Sequence, residues 1–194
     1  MILFHGTPAS KAHKILNDGL ISNQAEANYN ENCIAQITKC QEKQDVSLAT
    51  TRGYVYLTNW LFKAVYYGNL YACTGNEKDF YIFMVDIDEN KLLPDLDEPQ
   101  LQSCIWTTIK KENVCDYTSY KDTLEEFRSV RYADSISKFK YCTLPSAMNI
   151  SDENSQLIKS IVDAYVDFSD NHSEAFLRYV EELKEQLVEK CIWR

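Results

Sequence analysis

The sequence predicts an α+β fold, with strands and helices over most of the chain and helices alone at its end. Residues 79–87, DFYIFMVDI, are aromatic and β-branched throughout, which is typical of a central strand. From Ser151 onward the apolar residues follow helical spacing instead. The chain has 194 residues, of which 45% are hydrophobic. This length and composition suit one compact domain, or one domain with an appendage, and allow a sizeable core.

The chain begins with a predicted strand and helix. A short apolar run, ILF, forms the strand; Thr7 is expected as the helix N-cap, Pro8 as its first residue and Gly19 as its C-terminal stop. His5 and Gly6 therefore fall at a strand-to-helix switch. Backbone N–H groups are free at such a switch, and a ligand can approach them closely.

A second strand and helix are predicted after a long polar segment. Residues 21–52 are polar and aperiodic, and a loop of this length in a compact domain is often a functional lid. Residues 53–58 predict a strand, Thr58 is expected to cap the helix that follows, and Gly68 is expected to end it. Residues 100–124 are ambiguous, although CIWTTI suggests a short strand.

The last part of the chain changes from strands to helices. Residues 126–144 predict one or two further strands separated by turns, and residues 151–194 predict a helical hairpin whose second helix is capped by Ser173. The apolar stripes of this hairpin either pack on the domain's own surface or form a docking surface for a protein partner. The side chains that the second helix would offer to a partner are Leu183, Leu187 and Val188.

Composition excludes several classes of protein. The formal net charge of −9 argues against a wide basic groove for duplex nucleic acid, although a local patch is compatible with it. Neither a signal peptide nor a membrane span is expected, because the chain has no long apolar run. Seven scattered cysteines without a CxxC pair favour buried free thiols in a reducing cytoplasm. No residue cluster has metal-ligand spacing, so no metal is expected.

Three sequence motifs follow one another in an order that resembles that of a known family. They are HGT in the first strand, VYLT followed by a helix with KAVYYG, and EEFRSVRYADSISKFKY. In this order they resemble the histidine–tyrosine–glutamate branch of the ADP-ribosyltransferase superfamily, to which the poly(ADP-ribose) polymerases and diphtheria toxin belong. The resemblance covers residues 1–144. It implies a catalytic domain with a split, mixed β-sheet and flanking helices, followed by a helical appendage over residues 151–194.

The resemblance assigns the first part of an NAD site to HGT and to the helix. His5 matches the histidine that holds the adenosine ribose, and Gly6 matches the residue whose backbone clasps the nicotinamide amide; Thr7 completes this motif. Tyr67 matches the aromatic residue that stacks on nicotinamide. Ala64 stands where many relatives have a serine that hydrogen-bonds the carboxamide, which predicts looser contacts to nicotinamide.

The resemblance assigns the second part of the site to Tyr56 and Glu126. Tyr56 matches the second-strand tyrosine, and Glu126 matches the glutamate at the start of the late strand. The sequence does not firmly decide whether Glu125 or Glu126 points inward, and the spacing to SISKFKY favours Glu126. His5, Tyr56 and Glu126 are thus the expected catalytic residues.

The chemistry of NAD cleavage explains why these residue types are needed. Breaking the bond between nicotinamide and ribose passes through an oxocarbenium-like state, as glycoside hydrolysis does. A carboxylate near the ribose stabilises that positive charge, and Glu126 is the candidate. Two tyrosine rings can enclose the flat, cationic nicotinamide ring by stacking and cation–π interaction.

The expected function is therefore NAD-dependent mono-ADP-ribosyl transfer to a macromolecular acceptor, a protein or a nucleic acid, with NAD as co-substrate. Small cytoplasmic transferases of this kind are often toxins or defence effectors, which predicts an inhibitory, antitoxin-like protein partner. Two alternatives stay open: an NAD glycohydrolase, and an inactive NAD-binding or protein-interaction module of the same fold. The joint presence of histidine, tyrosine and glutamate argues against the inactive module.

Overall fold

The computed structural model of the chain describes residues 1–20, 53–98, 117–148, 152–168 and 170–194. The predicted lid and the predicted CIWTTI strand lie outside these residues. The strands are β1 (Ile2–Pro8), β2 (Val55–Thr58), β3 (Asp79–Asp86), β4 (Leu92–Pro94), β5 (Ser129–Tyr132) and β6 (Lys140–Pro145). The helices are α1 (Ala9–Asp18), α2 (Leu61–Thr74), α3 (Tyr120–Glu126), α4 (Glu153–Asp167) and α5 (Glu174–Lys190), with a 3-10 turn at Glu89–Lys91.

These elements belong to two compact units. The first holds Met1–Gly19, Trp60–Asp86 and the described residues of Ser137–Arg194; the second holds the described residues of Leu20–Asn59 and Ile87–Ile136. In this division α4 and α5 belong to the same unit as β1 and α2. Antiparallel strands together with five helices agree with the predicted α+β class. Every strand pairing within a unit is antiparallel.

In the first unit β3 lies between β1 and β6 and pairs with both. This confirms the prediction of a central strand. Its side chains Phe80 and Ile82 are completely buried, and they join a core of apolar side chains from α2, β6, α4 and α5. Because both edges of β3 are paired and one face is covered by helices, apolar and β-branched residues are favoured along it.

The two C-terminal helices confirm the predicted change to helical structure. Ser173 caps α5 as predicted, because its hydroxyl accepts a hydrogen bond from the N–H of Phe176 at 3.3 Å. Leu183 and Leu187 are 4% and 0% exposed and belong to the core. Of the two alternatives for the hairpin, packing within the chain therefore holds for these two leucines, and docking to a partner through them is wrong. Of the three side chains predicted to dock, Val188 alone is exposed, at 55%.

In the second unit β5 lies between β2 and β4. Together with β6 it confirms the prediction of further strands over residues 126–144. Helix α3 was not predicted. It begins with a capping box, in which the Ser119 side chain accepts from the N–H of Lys121 and the Asp122 carboxylate accepts from the N–H of Ser119, each at 3.2 Å. The spacing of Ser119 and Asp122 was the available sequence signal.

Of the two predicted ends of α1, only the C-terminal one is correct. Helix α1 begins at Ala9 with Pro8 as its N-cap, whereas Thr7 belongs to β1 and pairs with Tyr81. The strand continues through Thr7 because β3 offers it a pairing partner, so Thr7 is not a cap. Gly19 ends the helix as predicted, with φ at 85° and its N–H bonded to the Ile15 carbonyl at 2.8 Å.

The predicted ends of α2 are both wrong. Its N-cap is Trp60, whereas Thr58 is the last residue of β2. The helix also continues past Gly68 to Thr74. A Cβ atom on Gly68 would lie 2.5 Å from the ring of the buried Phe80. Gly68 therefore allows α2 to pack closely on β3 and is not a helix stop.

Candidate active site

Gly6 brings β1 into direct backbone contact with α2. A Cβ atom at this position would lie 1.8 Å from the carbonyl oxygen of Ala64 and 3.0 Å from the backbone nitrogen of Gly68. The absence of a side chain at Gly6 is thus required by the approach of the helix. His5, the preceding residue, is half-buried and faces Phe83 in the β1–β3 register. The HGT strand is therefore fixed against both β3 and α2.

Tyr67 lies on α2, one turn beyond Ala64, among other aromatic and basic side chains. Its half-buried ring meets Tyr66 edge to face, with the centroids 5.2 Å apart, and stacks on Tyr71 at 6.5 Å. The ammonium group of Lys63 lies 5.8 Å from the centre of the Tyr67 ring. These neighbours restrict the ring, which is a requirement for stacking on a planar ligand.

Tyr56 lies on β2 in the second unit, and its hydroxyl donates a hydrogen bond to Asp97 Oδ2. Burial, followed by the negative charge of Asp97, raises the pKa of the Tyr56 hydroxyl. The phenol therefore stays protonated and acts as the donor. The guanidinium of Arg131 lies 4.3 Å from the centre of the Tyr54 ring, and its Nε donates to the Pro94 carbonyl at 2.6 Å.

Glu126 does not stand where the resemblance places it. It is the last residue of α3, and β5 begins only at Ser129. The intervening Arg128 has φ at 58°, a left-handed conformation that breaks the path between helix and strand. Glu126 is half-buried whereas Glu125 is exposed, so the structure favours Glu126 as the more enclosed carboxyl of the pair.

The predicted site residues are divided between the two units. His5, Gly6, Thr7, Ala64 and Tyr67 belong to the first unit. Tyr56 and Glu126 belong to the second. Within the first unit, Gly6 and Ala64 are brought into contact.

Sequence reasoning missed the buried acidic residues next to Tyr56. Asp95, Asp97 and Glu98 are 1%, 2% and 8% exposed, and all three follow β4 directly. The signal in the sequence was three acidic residues immediately after Pro94, at the end of a short apolar stretch. Among the described residues, no group of three histidine, cysteine, aspartate or glutamate side chains is arranged to hold a metal ion.

In comparison with known proteins, no family model matches the chain, and neither a curated protein nor a solved structure matches it significantly. None of the helices that the structure describes is long and apolar enough to cross a membrane.

Proposed function

We propose that the chain is an NAD-dependent mono-ADP-ribosyltransferase, which moves ADP-ribose from NAD to a protein or nucleic acid and releases nicotinamide. The observation that supports the proposal is the backbone contact between Gly6 and Ala64. It couples the strand that carries His5 to the helix that carries Tyr67. The residues expected to hold the ribose and the nicotinamide are therefore carried by two elements in direct contact.

The proposed reaction breaks the bond between the ribose C1 carbon and the nicotinamide nitrogen. Nicotinamide leaves as a neutral molecule with the bonding electron pair, and positive charge develops on the ribose. A nucleophilic oxygen or nitrogen of the acceptor then bonds to C1 and loses its proton to a base or to water. In this reaction His5 and Tyr67 bind NAD, Tyr56 stacks on nicotinamide, and Glu126 stabilises the ribose charge.

The role of Glu126 predicts a large loss of turnover in Glu126→Gln. The amide keeps the shape of the side chain but removes its charge, so we expect a loss of about 10²-fold or more with NAD still bound. Glu125→Gln is the matched control, because Glu125 is the exposed neighbour on the same helix. Release of nicotinamide from NAD measures turnover. Full activity in both variants would contradict the assignment, and loss only in Glu125→Gln would move the role to Glu125.

The acceptor can be identified with NAD labelled in its adenylate part. The protein is incubated with this NAD and a cell lysate, and separate portions are then treated with nuclease and with protease. Label removed by one treatment identifies the acceptor class. Label found only in free ADP-ribose would establish an NAD glycohydrolase, with water as acceptor. Binding of NAD without its consumption would establish the inactive binding module.

A role as a toxin or defence effector is part of the proposal and has a separate test. Expression of the wild-type chain should arrest growth, and expression of Glu126→Gln should not. The inhibitory partner stays a prediction, now without Leu183 and Leu187, because these side chains are in the core.

A further inference from the structure

The segment that follows β4 folds around the carboxyl group of Asp95. Its Oδ1 accepts hydrogen bonds from the backbone N–H groups of Asp97 at 3.0 Å and Glu98 at 3.2 Å. Its Oδ2 accepts a hydrogen bond from the Ser129 hydroxyl, and the N–H of Asp95 donates to Thr123 Oγ1 at 3.1 Å. This network connects the backbone of Asp97 to β5 and α3. The point from which the Asp97 side chain extends is therefore fixed.

Burying the carboxyl group of Asp97 costs free energy. Its side chain is only 2% exposed, and burial is the main cause that raises the pKa of Asp97 to about 7. The Tyr56 hydrogen bond and the positive charge of Arg131 lower this pKa. The charges of Asp95 and Glu98 raise it. An apolar side chain of similar volume would avoid the penalty, so stability of the fold does not explain a carboxyl group here.

The two oxygens of Asp97 differ in their partners. Oδ2 accepts the hydrogen bond of the Tyr56 hydroxyl. Oδ1 has no hydrogen-bond donor among the described residues. The contact with Tyr56 is therefore the interaction that the buried carboxyl group provides, and it fixes the far end of the tyrosine ring. An aromatic ring held at both its Cβ and its hydroxyl has lost the freedom to tilt.

We infer that Asp97 is a positioning residue of the NAD site, which holds the Tyr56 ring in the orientation that stacks on nicotinamide. The inference rests on the proposed function. Stacking depends on the angle and offset of the two rings, so a tilted ring loses part of its interaction. A charged carboxylate also makes a stronger hydrogen bond than a neutral carboxyl. Affinity for NAD should therefore rise with pH as Asp97 loses its proton.

The test measures the dissociation constant of NAD by calorimetry on the full chain between about pH 5.5 and about pH 8.5. At the upper end Asp97→Ala should bind NAD about tenfold more weakly, the scale of one stacking interaction. Asp97→Asn keeps an oxygen that accepts from Tyr56, so it should stay within about threefold of the wild type but lose the pH dependence near 7. Asp134→Asn, an exposed aspartate of the same unit, is the control.

A double-mutant cycle separates positioning from a merely structural role. Tyr56→Phe removes the hydroxyl, so adding it to Asp97→Ala should cause no further loss of NAD affinity. In Asp97→Ala the NAD requirement should rise by a larger factor than the maximal rate falls. Additive losses, an altered maximal rate alone, or wild-type affinity in Asp97→Ala would overturn the inference and leave the proposed function standing. A folded wild-type protein that binds no NAD would overturn both.

Discussion

The two units of the chain bury different kinds of side chain. Among the described residues of the first unit the one buried charged side chain is Lys63, no carboxyl group is buried, and the largest buried side chains, such as Phe62 and Phe80, are apolar. The second unit buries three carboxyl groups over residues 95–98. Apolar burial stabilises a fold in proportion to area, whereas buried charges need partners and are often neutral or destabilising. Packing thus accounts for the core of the first unit, and the acidic cluster of the second requires another explanation.

The largest loss of stability is expected when the C-terminal helices are removed from the first unit. Truncation after Met148 deletes Ile158, Ile161 and Leu187, which are 1%, 0% and 0% exposed in the core. Each such loss costs about 2–5 kcal/mol, so the three together cost about 6–15 kcal/mol, as much as the whole stability of an ordinary domain. We expect the cooperative unfolding transition to disappear in urea titrations followed by circular dichroism. A truncated chain that still unfolds cooperatively would show that the hairpin is an appendage after all.

A smaller change sharpens the claim that packing fixes the first unit. Gly6→Ala would place a Cβ atom 1.8 Å from the Ala64 carbonyl oxygen, and neither backbone can yield without separating β1 from α2. We expect a loss of about 3 kcal/mol or more in the free energy of unfolding. Gly75→Ala is the matched control, because the atom nearest to a Cβ there is a side-chain oxygen, Glu77 Oε1, at the larger distance of 3.1 Å. Equal stability of the two variants would refute the close contact.

The stability of the second unit should depend on pH because it buries the carboxyl group of Asp97. The raised pKa of Asp97, about 7 instead of 3.8, means that its burial destabilises the fold above about pH 7 and has no effect below about pH 4. Between these values the unfolded state loses the proton first, so stability falls as pH rises. Asp97→Asn lacks this titration and should gain about 2–3 kcal/mol on the wild type between about pH 5 and about pH 8.

Urea unfolding of both proteins at the two pH values measures this gain. Asp134→Asn, whose side chain is 68% exposed, should show no pH-dependent change relative to the wild type. If Asp97→Asn and the wild type keep the same stability difference at both pH values, Asp97 does not titrate in this range, and the contrast between the two units loses its electrostatic basis.

The sequence predicted elements better than it predicted the residues that join them. DFYIFMVDI and the helical tail were recognisable because long periodic patterns reflect burial directly. The predicted roles of Thr58 and Gly68 as helix cap and helix stop were wrong, because residue types that end helices also occur elsewhere. Thr58 ends β2, and Gly68 lies inside α2, where β3 leaves no room for a side chain. No local pattern could have revealed this contact, which joins residues distant in sequence.

The candidate site shows the same limit. His5 and Tyr67 were assigned to the site because motif and spacing are local features. The pairing of Tyr56 with Asp97 crosses 41 positions of sequence, and a single sequence contains no signal for it. Glu126 was assigned to a strand because the capping box that begins α3 was not recognised. Contacts between side chains distant in sequence are therefore what the structure adds.

The smallest expected effect is that of Val188→Ser on α5, next to the buried Leu187. Leu187 is completely buried and Val188 is 55% exposed, although both follow the same predicted apolar stripe. Leu187→Ala should cost about 2–5 kcal/mol, whereas Val188→Ser should stay within about 0.5 kcal/mol because serine and valine have similar helix propensities. Urea unfolding of both variants measures the difference. A loss above about 1 kcal/mol in the free energy of unfolding of Val188→Ser would mean that Val188 is covered. Packing in the first unit would then include this face of α5 as well as the buried apolar core.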